Sequence, residues 1–287
     1  MQATPVLLML LAACFSGCAA ADTGESFALT LTRGSRLMID ARINGRPVRA
    51  LLDSAAEATL IDRGFAHTLK LHGGQEVSGQ GSGQSSFGAV LINGVRLEAL
   101  GLSLRDQTVA VTDLTDVGRR LLGHRIDVIL GREIFDAARL SIDIDGRRIA
   151  VAPRDGVPRG VRLELVTEHG VETVPVRVES GAPVRATFDL GNGSRVLIAA
   201  ALADRMGLLT DGRRVATDQG GGLGGEATRQ FIVLRSLEVA GRSFRDVSAS
   251  IDPQSSASDV NIGVAILRHF WITTDFANHA VWLDPRD

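Results

Sequence analysis

Two aspartates, Asp53 and Asp189, occupy the same place in two stretches that read alike. Arg46-Pro47-Val48-Arg49-Ala50-Leu51-Leu52-Asp53 matches Ala182-Pro183-Val184-Arg185-Ala186-Thr187-Phe188-Asp189. In each, an apolar strand stops on the carboxylate. Small residues follow, Ser54-Ala55-Ala56 in one and Leu190-Gly191-Asn192-Gly193 in the other. A second apolar run and a short helix come next. A carboxylate placed straight after a buried strand is partly desolvated, which favours its neutral form. A single such Asp reads most simply as the cap of a tight turn. Two at matched positions read differently. If the two copies pack about a pseudo-twofold axis, the carboxyls meet. Two carboxyls about 3 Å apart cannot both ionise. One proton on such a pair lets it activate a water as general base and protonate a carbonyl oxygen as general acid.

The rest of the chain supplies elements to position that pair. Short alternating apolar runs are separated by Asn44-Gly45, Asn93-Gly94 and Asp145-Gly146, each read as a hairpin turn because these residues accept positive φ. Helical patterns are short: Arg63–Leu69, Asp116–Leu122, Ala199–Met206 and Val264–His269. The class is therefore mainly β with a few small helices. The duplication extends to the ends of both copies. Gly131–Pro153 aligns without a gap on Gly263–Pro285, with Gly131/Gly263, Ile134/Ile266, Asp143/Asp275 and Pro153/Pro285 coinciding. The pattern predicts lobes over 25–153 and 161–287, joined by the Pro-, Gly- and charge-rich link 154–160.

Leu51-Leu52-Asp53-Ser54-Ala55-Ala56, backed by Thr59-Leu60-Ile61, resembles the active-site strand of the retropepsin-like aspartic proteases. Ile129-Leu130-Gly131-Arg132-Glu133-Ile134-Phe135 resembles that family's later segment, whose Gly lets a strand pack behind the active-site loop. Phe188-Asp189-Leu190-Gly191 and Asn261-Ile262-Gly263 repeat both features in the second copy. The resemblance implies two tandem retropepsin/pepsin-like acid-protease lobes about a pseudo-twofold axis, with a cleft for a peptide or protein substrate between them. It implies Asp53 and Asp189 as the catalytic pair, no cofactor, and a monomer in which one chain supplies both halves. It also implies a glycine-rich flap from each lobe, carried by Gly79, Gly81 and Gly83 and by Gly222 and Gly224. Two positions depart from the family. Ala55 stands where the family has Gly, and its methyl is expected to crowd the partner loop. Leu190 stands where a hydroxyl would bond across to the opposite loop. Ser54 keeps that hydroxyl, and Asn192 is the nearest polar stand-in on the other side. These departures also suit a protein that keeps the cleft for peptide binding alone. A third arrangement pairs the Asp53 residues of two chains.

Other chemistry finds little support. The net charge of −2 provides no field for nucleic acid. Six His fall outside any zinc-ligand spacing, and no Ser lies in a nucleophile elbow. Gly220, Gly222 and Gly225 satisfy a dinucleotide fingerprint, but the run after them reads as a strand rather than the helix that motif needs. Asp143 and Asp275 precede turns and read as structural, bonding nearby backbone amides. Asp143-Ile144-Asp145-Gly146 is too short for a calcium loop. Val6–Ala13 is an apolar run followed by small residues, which reads as an export leader over 1–21 although no Lys or Arg precedes it. Leu11-Ala12-Ala13-Cys14 resembles a bacterial lipoprotein cleavage box, Cys18 is a second candidate for lipidation, and cleavage after Ala21 is the third option. Both cysteines fall in this leader, so the body has no disulfide framework. The expected location is the bacterial envelope, periplasmic or lipid-anchored.

Overall fold

Alternating apolar runs bury one face of each strand, and here they assemble into two sheets of identical plan. The computed structural model describes residues 25–253 and 258–286. The leader, with Cys14 and Cys18, lies outside them. In the first lobe the eight strands run Thr30–Leu31, Leu37–Ile43, Arg46–Leu52, Val128–Leu130, Leu60–Asp62, Leu102–Thr112, Phe87–Ala99 and Gln75–Gly79 across the sheet. Leu37–Ile43 also pairs with Phe87–Ala99, which curls the sheet into a barrel. The second lobe repeats the order strand for strand: Val166–Glu168, Val171–Val178, Pro183–Phe188, Val260–Ile262, Val196–Ala199, Arg242–Asp252, Ala227–Val239 and Ala216–Gly220. Its closing pair is Val171–Val178 with Ala227–Val239. The duplication read from sequence is thus a duplication of topology.

A third, six-stranded sheet ties the lobes together. It runs Ser26–Ala28, Arg148–Val151, Leu140–Asp143, Phe270–Asp275, Ala280–Pro285, Val161–Glu164. At its centre Leu140 faces Thr274, Ser141 faces Thr273 and Ile142 faces Ile272. Leu140 and Ile272 are sequence counterparts, so exchanging the lobes maps this pairing onto itself. A pseudo-twofold axis therefore passes between Ser141 and Thr273. Above the sheet, Phe135 stacks on Phe276 with ring centroids 5.1 Å apart, and Phe188 meets Phe276 edge-on at 6.5 Å. All three rings are buried, so the base of the two lobes is one apolar core.

Four short helices fall where the sequence pattern placed them, at Arg63–Thr68, Thr115–Leu122, Ala200–Arg205 and Val264–Leu267. A fifth, Glu133–Ala137, was not anticipated. Asn93-Gly94 is not a hairpin turn. It lies within strand Phe87–Ala99, where the register slips between Ile92 and Val95. The chain reverses instead at Leu100-Gly101, with φ of 55° and 73°. Gly94 has φ of 77°, and a β-bulge draws on the same conformation as a primed turn. Asp143 accepts from the Gly146 amide at 2.6 Å, as expected of a turn residue. Asp275 departs from that reading. Fully buried, it takes Nε and Nη2 of Arg139 in the other lobe at 3.0 and 2.9 Å. Burial leaves a carboxylate too costly to hold without a cation or a proton, and the opposite lobe provides the cation.

Candidate functional site

Each aspartate sits at the end of a short parallel strand pair. Ala50–Leu52 runs beside Val128–Leu130, and Ala186–Phe188 runs beside Val260–Ile262. The ladder's last bonds come from the aspartates themselves: Asp53 N donates to Leu130 O at 2.9 Å, and Asp189 N to Ile262 O at 3.0 Å. The chain then turns sharply, and the carboxylates bond the turn. Ala55 N donates to Asp53 Oδ1, and Asn192 N to Asp189 Oδ1, both at 2.9 Å. Gly131 and Gly263 close each loop from behind. A Cβ on Gly131 would come within 2.8 Å of Ala56 O, and one on Gly263 within 2.7 Å of Asn192 Cβ. Arg132 N donates to Ala56 O and Val264 N to Asn192 O, so the strand behind each loop is bonded to it.

The two loops meet. Buried Ser54 donates its hydroxyl to Phe188 O at 2.8 Å and accepts from Leu190 N at 2.9 Å. The Asp53 carboxyl lies directly on Gly191, where a Cβ would overlap its Cγ and both oxygens. One aspartate thus reaches the loop that carries the other. A sequence model of the family described as aspartyl protease matches residues 39–134 and 174–266, one segment for each aspartate. The chain belongs to the aspartyl protease family. Among curated proteins, none matches it.

Within this aspartyl protease frame the two loops are unequal. Leu190 is fully buried among apolar side chains and its side chain can make no reciprocal bond, so among the described residues Ser54 provides the side-chain bridge between the loops. Asn192 does not replace the missing hydroxyl. Its Nδ2 bonds Asn261 Oδ1 at 2.8 Å and Arg195 O at 3.1 Å, and its Oδ1 takes the Ser194 amide. Those partners all belong to its own lobe, because a longer amide on a tight turn is satisfied locally first. Ala55 is the counterpart of Gly191. Asp189 cannot lie on Ala55 as Asp53 lies on Gly191, because a methyl fills that position. It is held instead by Asn261, whose Nδ2 donates to Asp189 Oδ2 at 2.7 Å.

Two residues at this site escaped the sequence reading as functional groups. Asn261 interrupts the apolar strand Val260–Ile262 at the position of Ile129 in lobe one, and that polar intrusion was the available signal. Arg36 gave none. It precedes strand Leu37–Ile43 of lobe one, yet a side chain on Gly193 in lobe two would overlap its guanidinium. Arg36 is buried, its Nη1 donates to Gly34 O at 2.8 Å, and its charge acts on both aspartates. Burial pushes the Asp53 carboxyl up to about 7, with the Asp189 charge adding to the rise and the amides of Ala55 and Ala56 and the Arg36 cation opposing it. Asp189 is also raised by burial, but Asn261 and the Asn192 amide oppose the rise, followed by Arg36.

The two glycine-rich segments expected as flaps lie in hairpins that close on each other. The first is the hairpin of Gln75–Gly79 and Phe87–Ala99, and the second joins Ala216–Gly220 to Ala227–Val239. Gly83 N donates to Leu223 O at 2.9 Å, and Ser85 N to Gly224 O at 3.0 Å. Gly81 and Gly83 abut Leu223 and Gly224, and Gly222 abuts Ser82, at distances that leave no room for a side chain. Gly79 lies off the tip, at the end of its strand, where it makes room for the Phe87 ring. Each tip is also held by an arginine of the other lobe. Arg120 Nη2 donates to Gly222 O at 2.8 Å, and Arg229 Nη2 to Ser82 O at 2.7 Å.

Proposed function

We propose that this protein is an exported aspartic endopeptidase whose Asp53 and Asp189 share one proton and activate a single water between the lobes. The observation that carries this reading is the Asp53 carboxyl packed on Gly191, in loops bridged by Ser54. Asp189 accepts the additional side-chain donor, Asn261, so it is the better-stabilised carboxylate and acts as the base. Asp53 holds the shared proton and acts as the acid. The water oxygen attacks the scissile carbonyl carbon while its proton passes to Asp189. The Asp53 proton passes to the carbonyl oxygen. Collapse of the resulting diol breaks the C–N bond as one diol hydroxyl returns its proton to Asp53, and the proton taken by Asp189 goes to the leaving amine. The flaps must part to admit a peptide, and their glycines make that movement accessible. Export rests on the apolar leader and its Cys14 or Cys18. Incorporation of labelled palmitate, lost in Cys14→Ala or Cys18→Ala, tests the lipid anchor.

The reading is tested by cleavage of a quenched peptide library between pH 3 and 8. Turnover is expected to be present in acid and to fall as pH rises past about 7, where Asp53 loses the shared proton. Activity that is flat through this range would overturn the shared-proton mechanism. The Leu190 side chain and the Ala55 methyl favour a second reading, a cleft that binds peptides without cleaving them. Peptide binding with no turnover at any pH would select it.

A further inference from the structure

The two halves of this cleft differ in chemistry, position by position. In lobe one, Leu51 faces Ile129 across the parallel pair, and in lobe two the matched residues are Thr187 and Asn261. The pairing continues outward. Leu60 pairs with Ala110, and its counterpart Leu197 pairs with Ser250. On the flap strands, Val77 faces Ala89, whereas Asp218 faces Arg229. Alternation turns these residues to the barrel face opposite the main core, because their neighbours Ala50, Leu52, Ala186 and Phe188 fill that core. In lobe one they form a separate apolar cluster that includes Ala56 of the Asp53 loop. In lobe two they form a polar network. Asn261 bonds Asp189, Ser250 bonds Asp218 at 3.2 Å, and Asp218 pairs with Arg195.

One flap tip already uses the apolar half. Leu223, the tip of the second flap, crosses over and packs into the apolar cluster of lobe one. Ser82, the tip of the first flap, crosses the other way, where its carbonyl takes Arg229 of lobe two. The arginine contacts are alike in both lobes, since Arg120 takes the Gly222 carbonyl, so the difference lies in the side chain of Leu223. Leu223 shows that the face on the Asp53 side accepts an aliphatic side chain.

We infer that the cleft selects peptides with a large apolar side chain on one side of the scissile bond and an uncharged polar one on the other. This rests on reading the cleft as a peptide site. An apolar side chain on the lobe-two face would shut this polar network off from water and offer it no hydrogen bond in return, a penalty that discriminates more strongly than a missing methylene does.

The test is a sequence profile of products from a random peptide library. One flanking position is expected to favour Leu, Ile, Met or Phe over Ser, Thr or Asn by about 10-fold or more, with the order reversed at the other. Thr187→Leu is expected to move the polar position toward apolar residues, and Leu51→Thr to weaken the apolar preference. Apolar residues on both flanks of the wild-type cuts would overturn the inference. Should the wild type release no products, the same library is selected by binding. Retained peptides with the apolar–polar order would uphold the inference while removing the peptidase reading. Retained peptides without that order, or none at all, would overturn it.

Discussion

Lobe one and lobe two share every strand and every connection that places an aspartate, yet they hold those aspartates differently. Asp53 lies against a glycine of the other lobe and keeps only backbone donors. Asp189 is held by an asparagine of its own lobe. The shared topology fixes where each carboxyl emerges, because its backbone amide ends a parallel ladder in both lobes. The side chains around it then give the two carboxyls unequal surroundings. A duplicated fold can therefore keep its geometry while its halves drift toward separate tasks.

The comparison is broken most severely by giving lobe two the methyl that lobe one already has. Gly191→Ala forces a Cβ into the Asp53 carboxyl, and a displacement of about 1 Å at the reacting groups can cost about 100-fold in rate. A loss of kcat/KM of that size or more is expected, whereas the reciprocal Ala55→Gly removes crowding and retains activity. Equal tolerance of both changes would show that the asymmetry has no consequence. Next in size is a stability effect. Arg139→Met leaves Asp275 as an uncompensated buried charge between the lobes, and breaking a buried pair costs about 3–5 kcal/mol. Urea denaturation should show that loss, and a change below about 1 kcal/mol would contradict the assignment.

A subtler change sharpens the division of roles. Asn261→Ala removes the side-chain donor that favours the charged form of Asp189. The Asp189 pKa then rises, and the acid limb of the kcat/KM profile moves to higher pH. An unmoved acid limb would assign the base role elsewhere. The smallest effect concerns stability and pH. The Asp53 carboxyl is raised to about 7 in the folded protein from 3.8, so between those values the folded state binds more protons than the unfolded state. Stability from this group is full below about 4 and is lost as pH rises through about 7. Asp53→Asn should therefore raise the Tm by a few degrees at pH 7, with the advantage vanishing near pH 4. A variant less stable than wild type at pH 7 would contradict the sign.

Much of this was legible before any coordinates. Alignment of Gly131–Pro153 on Gly263–Pro285 exposed the duplication, and matched Asp positions marked where the copies were expected to meet. Four helices followed from local pattern, and the glycine-rich hairpins were expected from the family resemblance. What sequence could not show was set by contacts between distant segments. Arg36 is remote in sequence from Gly193, and only the packing of a lobe-one residue under a lobe-two loop brings them together. Asn261 looks like a flaw in an apolar strand until its amide is seen on Asp189. Asn93-Gly94 misled because bulge and turn require the same backbone conformation, and only the cross-strand register tells them apart. Asp275 reads correctly as structural, and Asn278 of its own turn bonds it, but its buried cation, Arg139, comes from the other lobe and leaves no local signal.

The central claim is that one chain supplies both members of the pair. The most direct measurement compares cleavage by Asp53→Asn and Asp189→Asn, with the sedimentation of each protein followed at the assay concentration. Both variants are expected to be inactive, and the active wild type to sediment as a monomer. An Asp189→Asn protein that still cleaves peptides, and does so as a dimer, would contradict the account and pair the Asp53 residues of two chains instead.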